Sequence, residues 1–222
     1  MQRVVESELL DELPADDPRA VHSRNDLRML NALMRNVSHI ASALAGIPTP
    51  RRVMDIGAGD GSVSLALARK LHWRNTNFIL VDRNSTVSLK TLESFRRCHC
   101  TANPRTTDVL SELDRDGEVD VVISNLFLHH FSHHQMVPLL SAIARRCKVF
   151  VACEPRRSDW AMFASRCVGI LGCHAVTRHD AVVSVRAGFA GKELSQLWPV
   201  HKWRLEEKAI GAFSHRFVAN RM

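Results

Sequence analysis

The stretch VMDIGAGDGSVSLAL, residues 53–67, decides how the rest of the chain is read. Its first residues form the end of an apolar strand. Gly57, Gly59 and Gly61 then allow the backbone to turn tightly and to approach a ligand that a Cβ would repel. Beyond the turn, Val63, Ala66/Leu67 and Leu71 share one face of a helix. Strand, glycine turn and helix in this order predict an α/β fold with a ligand at the turn.

Working outward, RRVMDIG (51–57), NFILVD (77–82), VDVVISN (119–125) and KVFVACE (148–154) are short, nearly unbroken apolar runs. Such runs belong to strands buried on both faces, as in a parallel sheet. A weaker strand falls within 101–107, and EEKAIGAFSHRFVANR (206–221) reads as an antiparallel hairpin around Gly211-Ala212. Helical patterns lie between the runs: about 85–97, around Leu139/Leu140 and Ile143, and along Trp160, Ala164, Cys167/Val168 and Leu171. Core packing is the expected role of Trp160, Met162 and Phe163, with one of them free to line an apolar pocket. Thr177-x-x-Asp180 reads as a capping box for a helix over 178–187, and GKELSQLW (191–198) as a second short helix. At the other end, Leu27, Leu30, Met34, Val37, Ile40/Ala41 and Leu44 recur every three or four residues between Pro18 and Ala45, after a loosely ordered acidic arm at 1–17. The expected fold is a Rossmann-like, seven-stranded, mostly parallel sheet with helices on both faces, a C-terminal antiparallel hairpin and an N-terminal helical cover. It is read as a single domain over 1–222, divided into a cover (1–48), a core (49–155) and a C-terminal part (156–222).

The 222 residues, 45% hydrophobic and 24% charged, suit one globular domain. No apolar run approaches the ~20 residues that span a bilayer. The opening MQRVVESELLDELPADDP lacks the character of a secretory signal, so a cytoplasmic location and reduced thiols at the six cysteines are expected. A net charge of +7 raises nucleic acid as a partner, but the arginine pairs are scattered at element ends and Tyr is absent. A basic solvated surface is the better reading. Cys98-His99-Cys100 is too compact for a zinc site and fits the end of a helix.

The turn departs from the dinucleotide fingerprint Gly-x-Gly-x-x-Gly/Ala, whose last position would be Ser62. Asp55, inside the strand end, would repel a pyrophosphate but suits a cationic amino-acid group. S-adenosylmethionine (SAM) carries an ammonium and a sulfonium, so the charge favours SAM. Asp82 can accept hydrogen bonds from both hydroxyls of a ribose, a role that nicotinamide enzymes share. Asp108 is placed to meet an adenine amine, although a helix N-cap before Val109 explains it equally well. Asn125 ends the fourth strand beside the place where a methyl group would be presented.

Residues 50–155 resemble the core of class I SAM-dependent methyltransferases. The resemblance implies that Asp55, Gly57, Ala58 and Gly59 hold the methionine part, Asp82 with its neighbour Arg83 the ribose, Asp108 the adenine, and that Asn125 and Leu126 line the cofactor. Leu128-His129-His130-Phe131 resembles small-molecule members, including quinone C-methyltransferases. The arrangement of helical cover, core and TRHDAVVSVRAGF is similar to methyltransferases associated with bacterial polyketide pathways. The Asn/Asp-Pro-Pro-aromatic signature of amine-methylating enzymes and the Pro-Cys of pyrimidine C5 enzymes are both absent after the fourth strand, which lowers the nucleic-acid reading.

Methyl transfer to a hydroxyl gains from a base, and imidazole has a suitable pKa. His129 and His130 lie at the carboxyl edge of the sheet, where α/β ligand sites form. One is expected to point into the site and the other away. His133 and His134 complete a His-His-x-x-His-His run, but Ser132-x-x-Gln135 is a capping box that puts them in an exposed first turn unless Pro138 moves the helix start. No metal is expected. His179, with Arg178, is a weaker catalytic candidate. The expected function is methyl transfer from SAM, leaving S-adenosylhomocysteine, to a hydroxyl of an aromatic, polyketide-like or lipid-like small molecule in secondary metabolism. The alternatives are C-methylation of a quinone-like ring, an RNA-binding relative, or a SAM-binding partner protein without turnover. A monomer or homodimer is expected.

Overall fold

In a computed structural model, which describes residues 1–14, 16–84, 86–199 and 201–222, the apolar runs form one sheet. Its strands are β1 (Arg52–Ile56), β2 (Asn77–Asp82), β3 (Thr101–Thr106), β4 (Val119–Asn125), β5 (Cys147–Pro155), β6 (Trp203–Ile210) and β7 (Ser214–Arg221). Their spatial order is β3-β2-β1-β4-β5-β7-β6, parallel from β3 to β5 and antiparallel at β7 and β6. The expected fold class stands, hairpin included.

The unbroken apolar character of the inner strands follows from burial on both faces. Val53, Phe78, Leu80 and Ile123 point to one face, where α3 (Asn36–Leu44), α4 (Ser62–Lys70) and α5 (Leu89–Arg97) pack through Ile40, Leu44, Leu67 and Phe95. Met54, Ile56, Ile79 and Val122 point to the other. There α6 (Val109–Leu113), α7 (His133–Arg146) and α10 (Glu193–Leu197) close over Leu139, Leu140, Ile143 and Phe150. No helix of the described residues is long and apolar enough to cross a membrane.

The remaining helices lie over the carboxyl edge of the sheet and its surroundings. They are α1 (Leu9–Glu12), α2 (Pro18–Met34), α8 (Asp159–Arg166) and α9 (Ala175–Ala187). Arg35, in the left-handed region at φ 57°, separates α2 from α3, so the N-terminal cover is a helix pair. Ser132 and Gln135 form the expected capping box, and α7 starts there with Pro138 inside it.

Four expectations are corrected. The arm expected to be loose is tied down over its described residues, 1–14 and 16–17. Arg3 donates to the carbonyls of Ala187 (2.7 Å), His129 (3.2 Å) and Phe131 (3.0 Å), and its guanidinium lies 4.6 Å from the Phe189 ring centroid. Thr177 and Asp180 are not a cap for α9, because that helix already starts at Ala175 behind His174. Their side chains turn to other elements instead: Thr177 bonds Asp26 (2.8 Å), and Asp180 accepts the N–H groups of Leu9 (2.8 Å) and Leu10 (3.0 Å). The helix after β2 starts at Leu89, capped by Ser88, later than the pattern predicts; Ser85 lies outside the described residues. Finally, only Met162 of the α8 trio is core, since Trp160 and Phe163 are each 59% exposed.

Candidate functional site

The strand order reverses between β1 and β4, and in open α/β sheets ligands bind at such a crevice, beyond the carboxyl ends of the strands. A cavity of about 1080 Å³ opens there. Its walls come from the glycine turn, the ends of β2 and β4, the N-terminal arm, α2, α8 and α9.

At one end stands the glycine turn. The N–H groups of Gly57 (2.9 Å) and Ala58 (3.0 Å) donate to the Val81 carbonyl, which ties the turn to β2. Asp82 accepts the Gly59 N–H at Oδ2 and the Asn84 N–H at Oδ1, both at 2.8 Å. Each carboxylate oxygen keeps a further lone pair for a ligand. Gly59 (φ 53°) faces open space, with nothing within 4 Å of where a Cβ would stand. Gly57 (φ 73°) does not: a Cβ there would overlap the Phe127 ring. Its smallness therefore serves the packing of Phe127 as well as the turn.

The other residues expected at the cofactor are placed unevenly. Arg83, Asn125 and Leu126 line the cavity; Asp55 and Asp108 do not. Asp55 is 2% exposed beneath the turn and accepts the Ser64 hydroxyl at 2.7 Å. Burial pushes its carboxyl up to about 7. Asp108 caps α6 by accepting the Leu110 N–H (2.9 Å) and pairs with Arg83 (2.6 Å), which holds its pKa below the ordinary value. Asn125 donates to Asn31 at 3.0 Å, while its Oδ1 is buried without a partner among the described residues. Leu126 takes a left-handed conformation at φ 53° as the chain leaves β4.

The histidine end is built from distant parts of the chain. Leu128–His130 form a 3-10 turn after β4. His129, 2% exposed, faces Glu154 Oε2 through Nδ1 (2.9 Å) and Glu8 Oε1 through Nε2 (3.2 Å). Glu154, at the end of β5, also accepts the N–H groups of Phe127 (3.2 Å) and Leu128 (3.0 Å) and the Ser124 hydroxyl (3.2 Å). The Ser184 hydroxyl donates to Glu8. Burial opposes a charge on His129, but hydrogen bonds to the two carboxylates outweigh it and raise its pKa to about 9. For Glu8, burial is outweighed in the same way and the pKa falls to about 2; Glu154 is also lowered. His129 is therefore an imidazolium at neutral pH.

His130 behaves oppositely. Its ring lies against that of His129, tilted by 33° with centroids 4.2 Å apart, and its Nδ1 lies 3.4 Å from Asp11 Oδ2. Burial, then the adjacent His129 charge, lower its pKa below the ordinary histidine value. Both rings line the cavity, contrary to the expectation that one would turn away. The reason is that the two residues sit in a 3-10 turn, where strand alternation no longer applies. His133 and His134 are exposed in the first turn of α7. His179 does not line the cavity; it pairs with Asp180 at 3.0 Å.

Glu8, His129 and His130 bring possible ligand atoms within 4.8 Å of one another, the only such group among the described residues. Within the group, His129 Nε2 already faces Glu8 (3.2 Å) and His130 Nδ1 faces Asp11 (3.4 Å). Ion pairing accounts for the cluster. Glu8 and Glu154 were not singled out from sequence. Glu154 could have been, as an acid closing a buried strand at the carboxyl edge. Glu8 carries no signal, being one acid among many in the arm.

Residues 53–149 match the family model for a methyltransferase domain. The seven-stranded sheet with its terminal hairpin, and the glycine turn at the crevice, are the architecture of class I SAM-dependent methyltransferases. Among solved structures, the chain is similar to the plantazolicin methyltransferase BpumL in complex with SAH (13% identity over 93% of this chain and 92% of that one, TM-score 0.66). It is also similar to the pyocyanin biosynthetic protein PhzM (15% identity, 97% and 62% covered, TM-score 0.65). A third likeness is to magnesium protoporphyrin IX methyltransferase ChlM from Synechocystis PCC 6803 with bound SAH (15% identity, 85% and 82% covered, TM-score 0.52). No curated protein matches the sequence.

Proposed function

We propose that this chain transfers the methyl group of SAM to a small molecule, with a hydroxyl of an aromatic or lipid-like compound as the acceptor. The observation that carries this reading is one cavity that joins the glycine turn and Asp82 to His130, whose pKa burial and the His129 charge hold below the ordinary histidine value. The SAM-binding end fits: Gly59 leaves room, Asp82 offers free lone pairs, and the buried Asn125 Oδ1 lacks a donor. Bound there, SAM supplies a methyl carbon activated by its sulfonium. The chain's own residues align the acceptor and keep water out, which is most of what such a displacement needs. Asp11 at Nδ1 favours the His130 tautomer whose Nε2 is free to take the acceptor proton. His129, already protonated, holds the turn instead. Similarity to a pyocyanin biosynthetic protein and a plantazolicin methyltransferase supports a biosynthetic small-molecule acceptor.

The test has two stages. SAM and S-adenosylhomocysteine should raise the melting temperature by mass action, and NAD and NADP should not. A screen of phenolic and quinone acceptors, read by mass for an added CH₂, should then give a product. Protection by NADH but not by SAM would refute the reading. A product methylated at carbon would keep the cofactor and move the acceptor atom.

A further inference from the structure

The outer wall of the cavity, formed by α8 and the 3-10 turn Val168–Leu171 that follows it, is apolar and uncovered. Trp160 and Phe163 are each 59% exposed, Ile170 is 86% exposed and Leu171 51%. Leu33 of α2, 56% exposed, lines the same cavity. One exposed apolar side chain is ordinary; five around one opening form a patch of the kind that marks a binding site. The volume agrees. Single small-ligand pockets run from roughly 300 to 1,000 Å³, and this cavity of about 1080 Å³ has room for a second molecule besides a nucleoside.

The chemistry of the wall narrows the ligand. The rings of Trp160 and Phe163 lie one turn apart on α8, stacked with centroids 5.9 Å apart and planes 29° from parallel. Two exposed aromatic rings at the opening offer π surface and edges to stack on, which favours a rigid planar ring over a flexible chain that would lose rotor freedom there. The polar groups stand at the inner end, where Asn125 and His130 line the cavity. A ligand suited to both ends is flat and apolar over most of its length, with a hydroxyl at one edge.

We propose that Trp160 and Phe163, with the turn after α8, form the acceptor subsite for a fused-ring aromatic hydroxy compound whose hydroxyl points inward to His130. The fate of that hydroxyl rests on the methyl-transfer reading; the binding does not. Calorimetric titration with 1-hydroxyanthraquinone tests it, against dodecanol as the flexible apolar control. The anthraquinone should bind both without and with saturating S-adenosylhomocysteine. Trp160→Ala and Phe163→Ala should each weaken it about tenfold or more. Both substitutions are on exposed side chains, so the melting temperature and the affinity for S-adenosylhomocysteine should hold. Unchanged affinity in both variants would overturn the subsite, as would dodecanol binding as tightly or displacement of the anthraquinone by S-adenosylhomocysteine. Sedimentation showing a dimer that Trp160→Ala dissolves would also overturn it, since a second copy would then cover the wall. Failure of S-adenosylhomocysteine to bind, with anthraquinone binding intact, would instead remove the methyl-transfer reading and leave the subsite standing.

Discussion

The two ends of the cavity are built in opposite ways. The glycine end is local: a strand, three glycines and a helix within fifteen consecutive residues, with Asp82 reaching only 23 residues back to the Gly59 N–H. The histidine end is assembled across the chain. Glu8 meets His129 across 121 residues and Ser184 across 176, and Asp180 holds the Leu9 N–H across 171. A local site survives loss of distant contacts, whereas an assembled one fails with them. Substitutions at the two ends should therefore separate ligand binding from stability.

The largest effect is expected at Glu154. Replacing it with Ala leaves the His129 imidazolium buried with only Glu8, and removes the acceptor for three backbone N–H groups. Breaking a buried pair in this way costs about 3–5 kcal/mol. Urea unfolding should show that loss, and Glu154→Gln, which keeps an acceptor, should lose clearly less. If Glu154→Ala unfolds like the wild type, the histidine end is not assembled as described.

Next comes His130. His130→Ala should lower kcat by about 10²-fold with little change in SAM affinity. In the wild type the rate should fall in acid through an apparent pKa below the 6.5 of free histidine, because burial and the His129 charge disfavour the second cation. The groups facing it that could shift this limb are His129, Glu8, Asp11 and Glu154. The limb should vanish from the residual rate of the variant. A full rate in His130→Ala would take the base elsewhere.

At the local end, Asp82→Ala should weaken SAM binding about 10- to 100-fold, the range for losing hydrogen bonds to a charged group. Stability should change less, because the N–H groups of Gly59 and Asn84 remain near water. Gly59→Ala is a cleaner probe of ligand space than Gly57→Val. The first meets nothing, although its φ of 53° adds strain, while the second collides with Phe127 and should disturb folding together with binding. A Gly57→Val variant with unchanged melting temperature would reverse that distinction.

The same contrast explains what could be read from the sequence. The strands, the glycine turn and Asp82 were legible because their signals are periodic or contiguous. Two-faced burial leaves unbroken runs such as NFILVD, and a tight turn demands glycine. His129 and His130 were legible as residues but not as states. Nothing adjacent tells that one lies between two carboxylates and the other beside a cation. Glu8 was hidden because its partners are fixed only once the arm has folded over the sheet. Trp160 and Phe163 followed helical spacing and so resembled core, which spacing alone cannot distinguish from a cavity wall.

The smallest effect, and the one that reports most directly on the assembled end, is expected for Glu8→Gln. The substitution keeps the size and most hydrogen bonds of the side chain but removes its charge, so it should cost about 1–2 kcal/mol rather than a whole buried pair. Its signature is pH dependence. His129 has its pKa raised to about 9 in the folded protein, so its share of stability is complete below 6.5 and is lost as pH rises through about 9. Glu8 has its pKa lowered to about 2, so its share is complete above 4.5 and is lost as pH falls through about 2. Both conditions hold together between pH 4.5 and 6.5, where the stability difference between wild type and Glu8→Gln should be largest. It should shrink steadily above that window and disappear near the high-pH limit. Asp55 bends the absolute curves, because a carboxyl raised to about 7 favours folding less as pH climbs, but it does so equally in both proteins and cancels in the difference. A difference that stays flat from pH 5 to 9 would mean that His129 carries no charge against Glu8. The assembled end would then be held by packing and backbone contacts such as those of Arg3, and the contrast with the glycine end would be one of distance alone.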